Sequence, residues 1–264
     1  MSSRERNKPN PDVAKKLVQA LTASSDALFQ LVLNANEEVL FNTLKNPHLS
    51  EEHLLALLKR RDLSTDLLDR IHQRCSKTLS HRLILALIKN PATSDFLARS
   101  LMPHLRLFEL VDVCFLPGAG ADKRLAAERN ILQRLPTTPL GNKLTLARRA
   151  TANIVGELLK EGHPTLTEIC LSSPRLKEAS IYQFLTGPKA TAETISMIAR
   201  HQRWQHRTNL RQAILRNQKT PDVWFTLWLP NLSLPIIKQM FSRQRFNASQ
   251  KHLIQNELKK RCGG

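Results

Sequence analysis

The sequence predicts an all-α fold, a right-handed α-solenoid built from irregular repeats of two or three helices and about 42 residues each. One helix-ending pattern occurs four times and sets the repeat frame, at residues 44–47, 88–91, 171–174 and 215–218. The first two copies are 44 residues apart, the last two are also 44 apart, and the central gap of 83 is close to two periods. Six positions between residues 83 and 103 also match counterparts between 210 and 230, at a constant offset of 127. No segment alternates apolar and polar residues as a strand does, so we expect almost no sheet.

The four copies share features that end a helix. An apolar helix runs into Lys, Arg or Ser, then Asn or Ser, and usually Pro. A basic residue suits the negative end of a helix, Asn tolerates left-handed backbone angles, and the residue before Pro avoids helical angles. We therefore interpret Asn46, Asn90 and Asn217 as helix terminators with no chemical role.

The N-terminal part is expected to contain a tail followed by helical repeats over residues 10–116. Residues 1–9 are polar and basic, and we expect a disordered tail. The first helix should begin at Asn10-Pro11-Asp12, because Asn caps, Pro suits the first position and Asp complements the helix dipole. Similar capping residues predict helices that begin at Ser50, Ser94 and Thr220-Pro221-Asp222. Apolar patterns predict further helices over residues 63–75, 105–115 and 234–241.

The middle of the chain departs from this pattern. Residues 117–122 are rich in Gly with one Pro, and residues 136–139 form a second break, so we expect 117–139 to be an irregular loop region. One long helix should follow, from about 140 to 160. The C-terminal helical repeats occupy 140–264 and are strongly basic.

A resemblance supports this architecture. The stretch 140–149, together with Ser173-Pro174, Arg203-Trp204 and Arg216-Asn217, resembles a group of uncharacterised bacterial HEAT/armadillo-like helical-repeat proteins. The resemblance covers roughly residues 130–260. It implies the helical-repeat fold and carries over no catalytic residue, so it leaves function open.

Composition narrows the class of partner. Forty Lys and Arg against 22 Asp and Glu give a formal net charge of +18, which favours nucleic acid, an acidic protein face or an anionic membrane surface. The most apolar stretch, 223–240, is interrupted by Pro230, Pro235 and Lys238, so we expect no membrane span. The N-terminus lacks the apolar segment of a signal peptide, and we expect a cytoplasmic protein.

The four cysteines are expected to be free thiols in a reducing compartment. Cys75, Cys114, Cys170 and Cys262 are far apart in sequence, and none forms a Cys-x-x-Cys pair. The first three sit in apolar helical patterns and should be small core residues.

Positive charge is concentrated in the last quarter of the chain. Residues 194–264 contain thirteen Lys and Arg against two acids, Asp222 and Glu257, which leaves +11 of the total charge. Arginine pairs well with phosphate oxygens, and counterion release adds salt-dependent affinity. A turn near 204–206 should place the first four arginines at the edges of two adjacent helices. The predicted anion- or nucleic-acid-binding residues are Arg200, Arg203, Arg207, Arg211, Arg216, Lys219, Arg243 and Arg245. The alternative is a basic face that only contacts solvent.

Three tryptophans accompany these bases. Trp204, between His201 and His206, could stack on an unpaired base or be buried between helices. Trp224 and Trp228 are one helical turn apart and could form an aromatic platform for a partner. Aromatic residues at this spacing usually belong to the core, and we favour that interpretation for Trp224 and Trp228.

The sequence indicates no metal site, no cofactor and no catalytic residue. His48 and His53 are five residues apart, as are His201 and His206, whereas two ligands on one helix face are four apart. Some HEAT-like proteins are DNA glycosylases, and Asp222 lies among the tryptophans. We keep that activity as a minor alternative only, because Asp222 also occupies a position where an acid stabilises a helix start.

We therefore expect a non-catalytic binding or scaffold protein whose curved basic surface, centred on residues 200–219 and continuing to 243–261, binds an anionic partner, nucleic acid ahead of acidic protein. The alternative is a protein–protein interaction scaffold that binds an acidic or apolar partner through its inner helix faces or through residues 224–240. The sequence leaves the oligomeric state open.

Overall fold

The computed structural model describes residues 11–75, 80–243 and 246–262, which form eighteen α-helices and no β-strand. The all-α prediction is confirmed. The helices belong to two compact units, a first unit of residues 1–131 and a second unit of residues 132–264.

The first unit is a series of short helices. They are α1 (Pro11–Thr22), α2 (Ser25–Asn34), α3 (Glu37–Thr43), α4 (Glu51–Leu57), α5 (Thr65–Cys75), α6 (His81–Lys89), α7 (Asp95–Leu101), α8 (Leu107–Cys114) and most of α9 (Ala121–Arg134). α1 packs on α3, α2 on α4, α4 on α6 and α6 on α8, so these helices contact the helix two places further along. The core between them is apolar, and it includes the buried Leu28, Leu54, Leu87 and Leu110.

The second unit follows the same rule of packing. Its helices are α10 (Leu140–Arg149), α11 (Ala152–Leu159), α12 (Pro164–Ser172), α13 (Glu178–Thr186), α14 (Ala192–Arg200), α15 (Thr208–Arg216), α16 (Asp222–Trp228), α17 (Leu234–Arg243) and α18 (Ala248–Cys262). α10 packs on α12, α12 on α14, α11 on α13, α13 on α15, and α16 on α18. The fully buried residues Ile154, Phe184, Ile195, Leu210 and Phe225 lie in this core.

Most predicted helix starts are found where the capping residues stand. α1 begins at Pro11, and the Ser94 hydroxyl accepts the Leu97 N–H at 3.2 Å at the start of α7. At α4 the backbone N–H of Ser50 instead donates to Nδ1 of the buried His53, at 3.1 Å. His53 is therefore a capping and core residue.

Three helices lie within each 44-residue interval of the helix-ending pattern. α4, α5 and α6 occupy the interval between the first two copies, and α13, α14 and α15 occupy that between the last two. The four copies of the pattern therefore lie at the ends of α3, α6, α12 and α15.

The asparagines in this pattern do more than terminate helices. Asn90 has extended backbone angles (φ −70°, ψ 128°), so the expected left-handed conformation is wrong. Its side-chain amide donates to the carbonyls of Leu58 (3.0 Å) and Arg60 (2.7 Å), just beyond α4. Asn46 and Asn217 donate in the same way to carbonyls at the ends of α1 and α13. Each amide pairs carbonyl groups that a helix C-terminus would otherwise leave unsatisfied, and we call this contact an amide clamp.

Two predictions about the middle of the chain are wrong. The expected irregular region 117–139 consists mainly of α9, and the true loop ends at Gly120 after a turn in which Gly118 has a φ of +79°. α9 forms because Ala127 and Ile131 bury one face of an otherwise polar segment. The expected long helix 140–160 is interrupted at Ala150, whose backbone is extended. The break allows α10 and α11 both to pack on α12, so tertiary packing overrides local propensity.

Candidate anion-binding surface

The first four predicted arginines surround the connection between α14 and α15, where the predicted turn is found. Arg200 is the last residue of α14, Arg203 lies in the turn, Arg207 immediately precedes α15 and Arg211 lies one turn inside it. Arg211 is half-buried, and the other three are exposed. The sequence therefore places four cations around one exposed connection.

Arg203 is occupied mainly by the protein itself. Its guanidinium donates to the carbonyls of Ser173 (2.8 Å), Pro174 (3.3 Å) and Leu176 (3.3 Å), which follow α12. The same group lies over the ring of Trp204, 4.3 Å from its centroid. A guanidinium with three carbonyl partners has few donors left for a phosphate. Arg203 therefore stabilises the fold and adds to the surface mainly through its charge.

Arg211 and Lys219 have comparable internal roles. Arg211 Nε donates to the Gln205 carbonyl at 2.6 Å, and its guanidinium lies 5.3 Å from the ring centroid of Trp228. Lys219 Nζ donates to the Pro188 carbonyl at 2.9 Å. Both side chains hold neighbouring segments of the second unit together, a role that the sequence alone did not indicate.

Arg200, Arg207 and Arg216 are the more available members of the predicted set. Arg200 donates to the Ser196 carbonyl within its own helix, at 3.2 Å. Arg207 and Glu178 form a long ion pair (Nε to Oε2, 3.9 Å), which exposure to solvent keeps weak. Arg216 is half-buried and lines the groove between α13 and α15. These three side chains retain most of their capacity to bind an anion.

Further cations belong to the last two helices. The side chain of Arg243 and all of Arg245 lie outside the described residues. Lys238, Lys251, Lys259 and Lys260 are exposed on α17 and α18, and none forms an ion pair with any residue the structure describes. Lys251, Lys259 and Lys260 fall within residues 243–261, into which we expected the basic surface to continue, although none is among the eight predicted binding residues.

The three tryptophan side chains are engaged in contacts within the protein itself. Trp204 is 3% exposed, and its indole N–H donates to the Leu171 carbonyl at 3.0 Å, so it does not offer a free stacking surface. Trp228 is buried, and its ring lies 5.1 Å from that of Trp224. Trp224 is half-buried and donates to the Ser196 hydroxyl at 3.1 Å. The core interpretation describes all three better than an exposed platform does.

The histidine in the turn adds little charge to the surface. Burial and the neighbouring Arg203 lower the pKa of His201. Its Nδ1 accepts the backbone N–H of Arg203 at 3.3 Å, which requires this nitrogen to be unprotonated. Near pH 7 the positive field here comes from arginine and lysine.

Net charge differs strongly between the two units. Residues 1–131 contain 19 Lys and Arg against 15 Asp and Glu, which leaves +4. Residues 132–264 contain 21 against 7, which leaves +14. The second unit therefore carries most of the attraction for an anion.

Groups considered for other chemistry have structural contacts. Asp222 lies in the first turn of α16, and its carboxylate accepts a hydrogen bond from the Ser249 hydroxyl of α18. Cys75, Cys114 and Cys170 are free and buried, as predicted. Within the described ranges, no three His, Cys, Asp or Glu side chains are arranged to hold a metal ion.

None of the helices described is both long enough and apolar enough to cross a membrane. Comparisons of the chain with models of protein families, with curated proteins and with solved structures found no match.

Proposed function

We propose that the protein is a right-handed α-solenoid of the HEAT/armadillo kind that acts as a non-catalytic binding protein for an anionic macromolecule. Packing between every second helix supports a solenoid, since repeat proteins are held together by contacts between neighbouring units. The amide clamps of both units and the Arg203 contacts of the second unit add to this support, because they join residues 23 to 32 positions apart.

Nucleic acid is the partner that we propose. The observation that carries this proposal is the charge of the second unit, which contains 21 bases and 7 acids. Its exposed cations Arg200, Lys238, Lys251 and Lys259 lack an acidic partner among the described residues. Cations that lack an acidic partner attract phosphates, and counterions are released on binding. Such a surface binds through many weak phosphate contacts.

Base readout contributes little in this mechanism. Trp204 is buried and its indole N–H is paired, so it cannot stack on an unpaired base without leaving the core. We therefore expect binding that depends on phosphate density rather than on sequence.

Fluorescence anisotropy with labelled single-stranded DNA, duplex DNA and single-stranded RNA of equal length tests the proposal. We expect binding at about 50 mM salt and a loss of at least tenfold in affinity at about 200 mM. Absence of binding at the lower salt, or an affinity that ignores salt, would contradict it.

Matched variants locate the surface. Reversing Arg200, Arg216, Lys251 and Lys259 to Glu should remove most of the binding, because these residues lie in the second unit. A control that reverses four cations of the first unit, Lys15, Lys16, Lys45 and Arg70, changes net charge equally and should retain more of it. Equal losses in the two variants would argue against a local surface.

A further inference from the structure

The first unit contains a groove that the proposed nucleic-acid surface does not use. It lies between α4 and α6, has a volume of about 650 Å³ and is bordered at one side by Phe29 of α2. Leu55 and Ala56 of α4, and Leu85 and Ala86 of α6, line it and are only half-buried. The floor of the groove is therefore apolar.

The apolar floor is repeated in register along successive helices. Leu55-Ala56-Leu57 and Leu85-Ala86-Leu87 are separated by 30 positions, and in each triplet the last leucine is buried in the core while the first two residues face the groove. Phe29 stands 26 positions before Leu55 and continues the row on α2. Its ring packs on His53 at 4.1 Å between centroids, which fixes one edge of the floor. Three helices thus present a continuous apolar strip.

The rim of the groove is basic at one end. Lys59, Arg61 and Lys89 are exposed near the C-terminal ends of α4 and α6, and none forms an ion pair with the residues described. At the other end Arg82 is neutralised by Glu52, at 2.8 Å. The groove therefore has an apolar floor and three uncompensated positive charges at one end.

We propose that this groove docks an acidic amphipathic segment of a partner protein. α4 and α6 contain seven and nine residues, so the groove matches about two turns of a helix, which present two or three apolar side chains on one face. Aspartate or glutamate beside those side chains would meet Lys59, Arg61 and Lys89. Such charge complementarity sets orientation and speeds association.

Charge disfavours the other occupants. The chain's own residues 1–9 contain Arg4, Arg6 and Lys8 against Glu5, so they have the same sign as the rim. A second copy of the chain carries a net charge of +18 and would be repelled at this rim. Nucleic acid would satisfy the rim but would leave the apolar floor unused.

A synthetic peptide tests the proposal on the full-length protein. The probe is a fluorescein-labelled helical peptide of about fifteen residues, with leucine at every third or fourth position and glutamate between. We expect a Kd of roughly 1 to 50 µM, a range typical of a small groove with few anchors. The same peptide with alanine for leucine, or with lysine for glutamate, should bind at least about tenfold more weakly.

Variants of the groove distinguish the contribution of its apolar floor to peptide binding from that of its basic rim. Leu55→Ser with Leu85→Ser should weaken peptide binding by about tenfold through the floor, and Lys59→Glu with Lys89→Glu by a similar factor through the rim. Matched controls are the exposed Leu227→Ser and Lys45→Glu, which lie outside the groove and should have no effect. Because serine at the floor could disturb folding, Ala86→Gln provides a second variant, which fills the groove from a half-buried position and should also weaken peptide binding. Circular dichroism spectra of all variants, compared with wild type, check that each one folds.

Three outcomes would overturn the proposal. The first is peptide binding that does not depend on leucine, on glutamate or on the groove variants. The second is a dimer in sedimentation that Leu55→Ser dissociates, which would assign the groove to a second copy. The third is displacement of the peptide by single-stranded DNA together with DNA binding that Lys59→Glu with Lys89→Glu abolishes. The unit-two charge variants should leave peptide binding unchanged, so failure of the nucleic-acid proposal and failure of this one are distinguishable.

Discussion

The two units share their packing chemistry but differ in charge. Amide clamps are present in both, from Asn46 and Asn90 in the first unit and Asn217 in the second. Yet the first unit has 19 bases against 15 acids, and the second has 21 against 7. Because the balanced unit uses the same kind of contact, the fold does not require the excess of charge. Excess charge of one sign destabilises a compact state by self-repulsion, so its concentration in the second unit supports the proposal that this unit binds an anion.

Thiol labelling gives the largest expected effect and compares the two cores. Burial raises the pKa of Cys114 in the first unit and of Cys170 in the second to about 12 each. Because both thiols are also buried, alkylation at pH near 8 requires local opening and should be about a thousandfold slower than that of a free thiol. Peptide-resolved mass spectrometry after timed alkylation measures each site. Rapid labelling of one cysteine alone would show that its unit opens more readily.

Moving charge between the units should change affinity for nucleic acid by roughly ten- to a hundredfold. One variant replaces Arg200, Arg216, Lys251 and Lys259 by Gln and also replaces four exposed acids of the first unit, Asp26, Glu38, Asp66 and Asp122, by their amides. Net charge stays at +18 because four bases and four acids are removed together. Anisotropy should show weaker binding and a shallower dependence on salt. Unchanged affinity would mean that total charge matters and its position does not.

The amide clamps should differ in strength between the units. Asn90 is 2% exposed, and Asn90→Ala leaves two carbonyls without their partner, which should lower the free energy of unfolding by about 2 to 3 kcal/mol. Asn217 is half-buried and donates to one carbonyl, so Asn217→Ala should cost about 1 kcal/mol. Urea titration followed by circular dichroism measures both, with the exposed Asn209→Ala as the control. If Asn217→Ala cost more than Asn90→Ala, burial would not determine the strength of a clamp.

The smallest expected effect is a dependence of the stability of the first unit on pH. Burial alone would raise the pKa of Glu109, but hydrogen bonds from His81 (2.7 Å) and from the Arg106 N–H (2.7 Å) outweigh it and lower that pKa below 4.5. A carboxylate with a lowered folded pKa stabilises the fold above its unfolded pKa, and this contribution is lost as pH falls through the folded value. The stability difference between wild type and Glu109→Gln should therefore be present at neutral pH and disappear in acid. His81→Gln should raise the pH at which this stability difference disappears. An unchanged pH would show that other groups lower the pKa of Glu109.

The sequence predicted the helices better than the contacts between them. Capping residues such as Ser94 and Asp222, and the proline at position 11, act locally, so they marked helix starts correctly. The break at Ala150 and the helix after Gly120 depend on packing against other elements, which local patterns do not encode.

The predicted binding residues show the same limit, because the sequence indicated their positions but not their contacts with other helices. Sequence reasoning found the cluster of bases and the turn between α14 and α15, but it could not show which cations were already occupied. Arg203 and Lys219 bind carbonyls 27 to 31 residues earlier in the chain. Contacts of such range require the helices to be stacked first. The burial of Trp204, in contrast, was one of the two alternatives that the sequence left open.

The position of the tryptophans has a consequence for how the molecule can be observed. All three tryptophans, Trp204, Trp224 and Trp228, belong to the second unit, and the first unit contains none. Intrinsic fluorescence therefore reports the melting of the second unit only, whereas far-ultraviolet circular dichroism reports both. The two signals together show, without any added label, whether the two halves of the chain lose their structure in one step or in two.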